Sequence, residues 1–115
     1  MLKRKFHVPE DNRTLKALAA LDARVYVYCP DRRTKQQFIE DAENEYFCYR
    51  DGVSLKEREP EDIMALNRDR TVNFVGYIGH LVFHTTAKEI GDKVLLKVDY
   101  RKYVAGEKNF ICTSR

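Results

Sequence analysis

The pattern of apolar and polar positions changes period several times along the chain. Residues 2–8 set Leu2, Arg4, Phe6 and Val8 against Lys3, Lys5 and His7, the period of an edge strand with one wet face. Pro9 and the polar cluster at 10–12 break it, and Asp11 or Asn12 is placed to cap a helix carrying Leu15, Leu18, Ala19 and Leu21, ending near Asp22. RVYVYC, residues 24–29, is β-branched and aromatic on both faces and predicts an interior strand. From Asp31 to about Asn44 the period becomes helical, with Phe38, Ile39 and Ala42 on the inner stripe. In YFCYRDGVSL, Asp51 and Gly52 form a turn between two short extended pieces.

Pro60 suits a first helical position, and Glu61 and Asp62 suit the positive end of a helix dipole. This predicts a third helix with Ile63, Met64 and Leu66 turned inward. Beyond Thr71 the chain is rich in Val, Ile, Phe, Tyr and Thr with no helical stripe. Strands are expected near 71–76, 79–86 and 93–100, the last two joined by a turn at Gly91 and Asp92, with a short strand in the tail NFICTSR. Early helices followed by consecutive strands predict an α+β domain. Its expected form is an antiparallel sheet of about four to six strands with two or three helices mainly on one face.

Composition narrows the classes. A chain of 115 residues, 43% hydrophobic and 34% charged, is expected to fold as one domain without repeats or linkers. Its net charge of +3 arises from 21 basic and 18 acidic residues interspersed along the chain, which is no nucleic-acid signature in itself. No apolar run approaches the ~18 residues of a membrane span, and the basic start has no apolar stretch after it; a cytoplasmic protein is expected. Cys29, Cys48 and Cys112 are an odd number, far apart, each within an apolar run. They read as buried free thiols, neither a disulfide framework nor a zinc site. No cofactor and no metal is expected.

The candidate chemistry is sparse. YCPDRRTKQQF, residues 28–38, sets a cysteine ahead of a helix as a phosphatase loop does. Position 35 is lysine, however, and the loop lacks the glycine that a phosphate-cradling nest of amides needs. A thioredoxin-like reading fails because Arg32 stands where the second cysteine would be. Asp31 is better read as a helix cap. Arg32, Arg33 and Lys35 then crowd a helix start, where cations oppose the dipole, and this makes them candidates for binding an anion.

His80 and His84 would stand about 13 Å apart on one strand face, too far to share a metal ion; a general-base role for either is a further option. Gly76 and Gly79 within strand-like sequence mark a bulge or a close approach, flanked by Asn73 and Tyr77. Arg68 with Arg70, and Arg101 with Lys102, have aromatic neighbours in Phe74, Tyr77, Tyr100 and Tyr103, the mixture that stacks bases and neutralises phosphates.

The run RVYVYCPDRRTKQQFIEDAENEYFCYRDG, a strand, a polar helix start, a helix and an aromatic strand closed by Asp-Gly, resembles small α+β accessory proteins encoded by phages and prophages. The resemblance covers about a quarter of the chain and implies a setting without a shared activity. The leading expectation is a non-enzymatic binding protein that presents a sheet face or helix edge to a protein partner or to another copy of itself. Seven tyrosines and six phenylalanines supply possible anchors, with Asn73, Tyr77, His80 and His84 as interface candidates. The alternative is recognition of a nucleic acid or nucleotide through Arg32, Arg33, Arg68 and Arg70.

Overall fold

The computed structural model describes residues 14–85, 88–107 and 110–111. The strand expected over 2–8 and Cys112 lie outside the described residues. The fold is α+β, a six-stranded sheet with helices on both faces. In chain order the elements are α1 (Leu15–Ala19), β1 (Ala23–Tyr28), α2 (Arg32–Asn44), β2 (Cys48–Tyr49), β3 (Ile63–Leu66), β4 (Thr71–Phe74), α3 (Gly76–Phe83), β5 (Glu89–Ile90), β6 (Lys93–Asp99) and α4 (Tyr100–Val104). A single 3-10 turn at Leu55–Glu57 precedes β3.

Across the sheet the strands run β2-β4-β3-β1-β6-β5. The sheet is mixed, which corrects the antiparallel expectation: β1 lies parallel to β6 and β2 parallel to β4, while β1–β3, β3–β4 and β5–β6 are antiparallel. Parallel neighbours need long crossovers. Here each parallel pair joins strands with other elements between them, and local turn signals carry no trace of such pairings.

The registry sorts side chains by face. Val25, Val27, Met64, Leu66, Val72, Leu96 and Val98 point to one side, where they form a continuous core with Leu15 and Leu18 of α1, Phe38, Ile39 and Ala42 of α2, and Tyr100 and Tyr103 of α4. Three helices therefore cover one face, as the inward stripe of α2 predicts. Phe38 meets Tyr100 edge-on with ring centroids 5.2 Å apart, and the Tyr100 hydroxyl donates to Asp41 Oδ2 at 2.5 Å. The opposite face carries Tyr26, Tyr28, Ile63, Ala65, Leu95 and Lys97, and α3 packs there.

Local chemistry explains the boundaries. Asp31 Oδ1 accepts from both the Thr34 amide and the Thr34 hydroxyl at 2.8 Å, so α2 begins where its cap predicts. Helix α1 is capped by Thr14, not by Asp11 or Asn12 as expected, and ends at Ala19, short of Leu21 and Asp22; the Glu45 carboxylate accepts from the Leu15 and Lys16 amides at 2.9 and 2.8 Å, pinning α1 to the end of α2. Gly52, at φ +87°, makes the expected turn after Tyr49, but only Cys48 and Tyr49 pair as strand. Gly91, at φ +62°, turns the hairpin between β5 and β6. Of the tail, Ile111 makes one antiparallel bridge with Val98, and the rest of the strand expected in NFICTSR apart from Phe110 lies outside the described residues.

Two elements differ in type from the expectation. Residues 63–66 are a central strand, buried on both faces, and no helix starts at Pro60. A four-residue apolar run fits either element, and the segment between Pro60 and Asn67 is too short to repeat a helical stripe. Residues 76–83 are helix where a strand over 79–86 was expected. The chain leaves β4 through Val75 in the right-handed helical region and Gly76 at φ +75°, a turn that a strand cannot continue through. The strand expected over 71–76 accordingly ends at Phe74, and the one expected over 93–100 ends at Asp99, which caps α4.

Candidate interaction surface

Helix α3 is built from residues that form helices poorly: two glycines, with Tyr, Ile, His, Val and Phe around a single Leu. An eight-residue helix of this composition needs tertiary support. It rests on the sheet through Gly79 and Phe83, four residues apart and so on one face of the helix. A Cβ at position 79 would reach the Tyr26 hydroxyl of β1 at 3.6 Å, an ordinary contact, but would overlap Val75 at the start of the same helix, so glycine is demanded by the first turn of α3. The Phe83 ring packs at 5.4 Å from that of Tyr28.

Beneath Phe83 lies Lys97, only 4% exposed in the middle of the sheet. Its ammonium donates to the Thr85 carbonyl at 2.8 Å and stands 5.7 Å from the Phe83 ring centroid. A cation at the carbonyl end of a helix is favoured by the dipole, so Lys97 fastens the C-terminal end of α3. On the flank, His80 Nε2 lies 3.5 Å from Glu61 Oε1.

The other side of α3 faces solvent and is apolar. At about 100° per residue, Leu81 lies opposite the buried pair of Gly79 and Phe83, with Tyr77 and Ile78 on either side of it. Tyr77 is 77% exposed, Ile78 67% and Leu81 48%. With a tyrosine side chain at roughly 200 Å² and the aliphatic ones somewhat less, these three expose on the order of 400 Å² of apolar surface, within the range of patches that serve interactions. The lone exposed apolar side chains elsewhere, such as Tyr46 and Val104, sit on other elements.

The remaining candidates fall elsewhere. His80 and His84 lie on and just after α3, one helical turn apart, so the 13 Å separation expected of a strand does not hold. His80 is directed at Glu61, and the His84 ring meets Phe83 and Tyr28 edge-on. Among the described residues no group of three or more His, Cys, Asp or Glu could hold a metal ion. Gly76 and Gly79 begin and seat a helix where a bulge was expected. Asn73 is bonded to Asn67 at 2.7 Å and to the Phe74 carbonyl at 2.9 Å.

The four arginines of the nucleic-acid reading separate. Arg68 donates to the Ala20 carbonyl at 2.7 Å, at the end of α1, and Arg70 to the Glu45 carbonyl at 3.1 Å, at the end of α2. Both sit where β1 begins, whereas Arg32 and Arg33 follow its other end, about 20 Å away along a six-residue strand. Lys35 is bound to Asp62 at 2.8 Å, which raises its pKa, and Arg101 lies 3.6 Å from Asp31. Tyr100 and Tyr103 are buried in the core and offer no ring for a base to stack on. Cys29 is buried, and that burial pushes its thiol far above the ordinary value, so it remains protonated and is no nucleophile. Cys48 is half-buried.

Two clefts accompany these elements. One of about 670 Å³ between α2 and α4 is lined by Asp41, Glu45, Gln37 and Tyr100. Its carboxylates already accept from Tyr100, Gln37 and the α1 amides. The other, of about 410 Å³, contains Arg32, Lys35, Lys56 and Arg58, the last three in ion pairs with Asp62, Glu43 and Asp51. No helix among the described residues is long and apolar enough to cross a membrane.

Sequence reasoning singled out Tyr77 but missed Ile78, Leu81 and Lys97. The available signal was the apolarity of α3 on every side, which an amphipathic template hides. Compared with protein-family models, curated proteins and solved structures, the chain finds no match.

Proposed function

We propose that this chain is a non-enzymatic binding protein that acts through protein–protein contact, and that the outward face of α3 is its contact surface. The observation that carries this reading is the placement of Tyr77, Ile78 and Leu81 on the solvent side of a helix whose own seat on the sheet is made by Gly79 and Phe83. Turning these side chains to water brings the isolated chain no stability, whereas their burial against a partner would recover the hydrophobic term. An aromatic residue beside two aliphatic ones, one helical turn in length, is the arrangement by which a helix inserts anchors into an apolar groove. The accessory-protein setting implied by the sequence resemblance is compatible with such a role.

The test pairs two charge-introducing variants with capture from source cells. Leu81→Glu should leave the fold unchanged by circular dichroism and abolish recovery of bound protein, while Arg32→Glu with Arg33→Glu should leave recovery intact. The reverse pattern would overturn the reading and favour recognition through the α2 end.

A further inference from the structure

We infer that the partner of the α3 face is a second copy of this chain, with the two α3 helices lying antiparallel across a twofold axis. This rests on the reading of α3 as the contact surface and specifies what covers it.

Charge is the first argument. In a chain that is 34% charged, residues 71–87 contain no Asp, Glu, Lys or Arg. Interfaces between unlike proteins draw much of their encounter rate and choice of partner from complementary charge; the stripe of Tyr77, Ile78 and Leu81 carries none, and Glu61, beside His80, stands on its flank. A twofold contact sets the same patch against itself, so a fixed charge near the axis would face its own sign. An uncharged apolar stripe is the kind of surface that can meet its own copy, and a net charge of +3 adds little general repulsion.

Geometry and area agree. Tyr77 and Leu81 lie one turn apart along the stripe, so antiparallel packing brings Tyr77 of one copy against the partner's Leu81, and the reverse, with Ile78 beside the axis. Each anchor then meets an anchor. The three side chains supply about 400 Å² per copy, roughly half of the ~800 Å² per partner in a standard interface. Gly76, His84 and Thr85, all exposed, complete a polar rim. A contact of this size falls at the small end of specific interfaces and corresponds to a weak, concentration-dependent dimer.

The experiment is sedimentation velocity on the full chain across roughly 1 to 200 µM, a range over which a weak dimer becomes populated. It uses wild type, Tyr77→Lys, Leu81→Glu and an equimolar mixture of the two variants. The expected result is a concentration-dependent dimer for wild type, at least about tenfold weaker in either variant alone. The mixture should recover a heterodimer, because one contact then pairs the new lysine with the new glutamate while the other remains as in wild type. Circular dichroism and unfolding midpoints confirm that each variant is folded.

A wild-type dimer that neither substitution weakens would place the self-contact elsewhere and overturn the proposal. A wild type monomeric throughout would overturn it as well. In that case, loss of a captured partner by Leu81→Glu would leave the binding reading standing with a different occupant, and unchanged capture would remove both.

Discussion

Gly79→Ala sets two effects of opposite sign against each other. Replacing a helical glycine by alanine in an exposed helix stabilises by about 1 kcal/mol through backbone propensity. At position 79, however, the added Cβ would fall 2.4 Å from Val75 Cβ and 2.8 Å from Val75 Cγ2. Carbon atoms in contact stand about 3.5–4.0 Å apart. Val75 Cβ is bonded directly to the backbone, so no rotamer relieves the overlap and the first turn of α3 must move. Displacements of this kind cost about 1–3 kcal/mol, enough to cancel or exceed the propensity gain, so Gly79→Ala should bring no stabilisation and a net loss of up to roughly 2 kcal/mol. Urea unfolding followed by circular dichroism measures it directly. In a double-mutant cycle the loss should vanish when Val75→Gly is already present, since that change removes both opposing atoms. A Gly79→Ala protein more stable than wild type by the full propensity gain of about 1 kcal/mol would refute the tight packing of Gly79 against Val75 at the start of α3.

Three further outcomes follow from the opposite face and the helix caps. Tyr100→Phe removes a hydroxyl bonded to a carboxylate and should lose about 1.5 kcal/mol at neutral pH, read from the shift in urea midpoint. Burial first, and the bond to Asp41 second, hold the Tyr100 pKa well above its ordinary 10.0. The unfolded chain therefore ionises first, and wild-type stability should fall as pH rises past about 10, a slope that Tyr100→Phe reduces. Asp31 has its carboxyl held below the ordinary 3.8 by the Thr34 amide and then the Thr34 hydroxyl, so its contribution is present above that value and lost as pH falls through the folded one. The gap in thermal midpoint between wild type and Asp31→Ala should accordingly close in acid.

Legibility in the sequence followed the strength of local signals. Helix α2 could be read end to end because Asp31 announces its start and Phe38, Ile39 and Ala42 repeat at helical spacing over a polar outer face. Strand β1 could be read from its β-branched and aromatic content. Strand β3 was obscured because Pro60, Glu61 and Asp62 imitate a helix start, and only its pairing with Tyr28 and Phe74 across the sheet makes it a strand. Helix α3 was obscured for the reason that makes it interesting: an amphipathic pattern requires a polar outer face, and this helix has Tyr77, Ile78 and Leu81 there. Lys97 was read as part of an ordinary strand, because nothing local shows that α3 returns to bury it. The arginines were legible as basic residues. Their scattering to two ends of β1, and the use of Arg68 and Arg70 to bond helix-end carbonyls, belong to the tertiary structure alone.

The account stands most directly on the outward face of α3, and site-specific photo-crosslinking in source cells tests it. A photoreactive amino acid would replace Leu81 in one protein and Arg33 in another, each expressed at native level. The account predicts covalent adducts from position 81, of twice the chain mass where a second copy is the partner, and none above background from position 33. Adducts from position 33 with none from position 81 would contradict it.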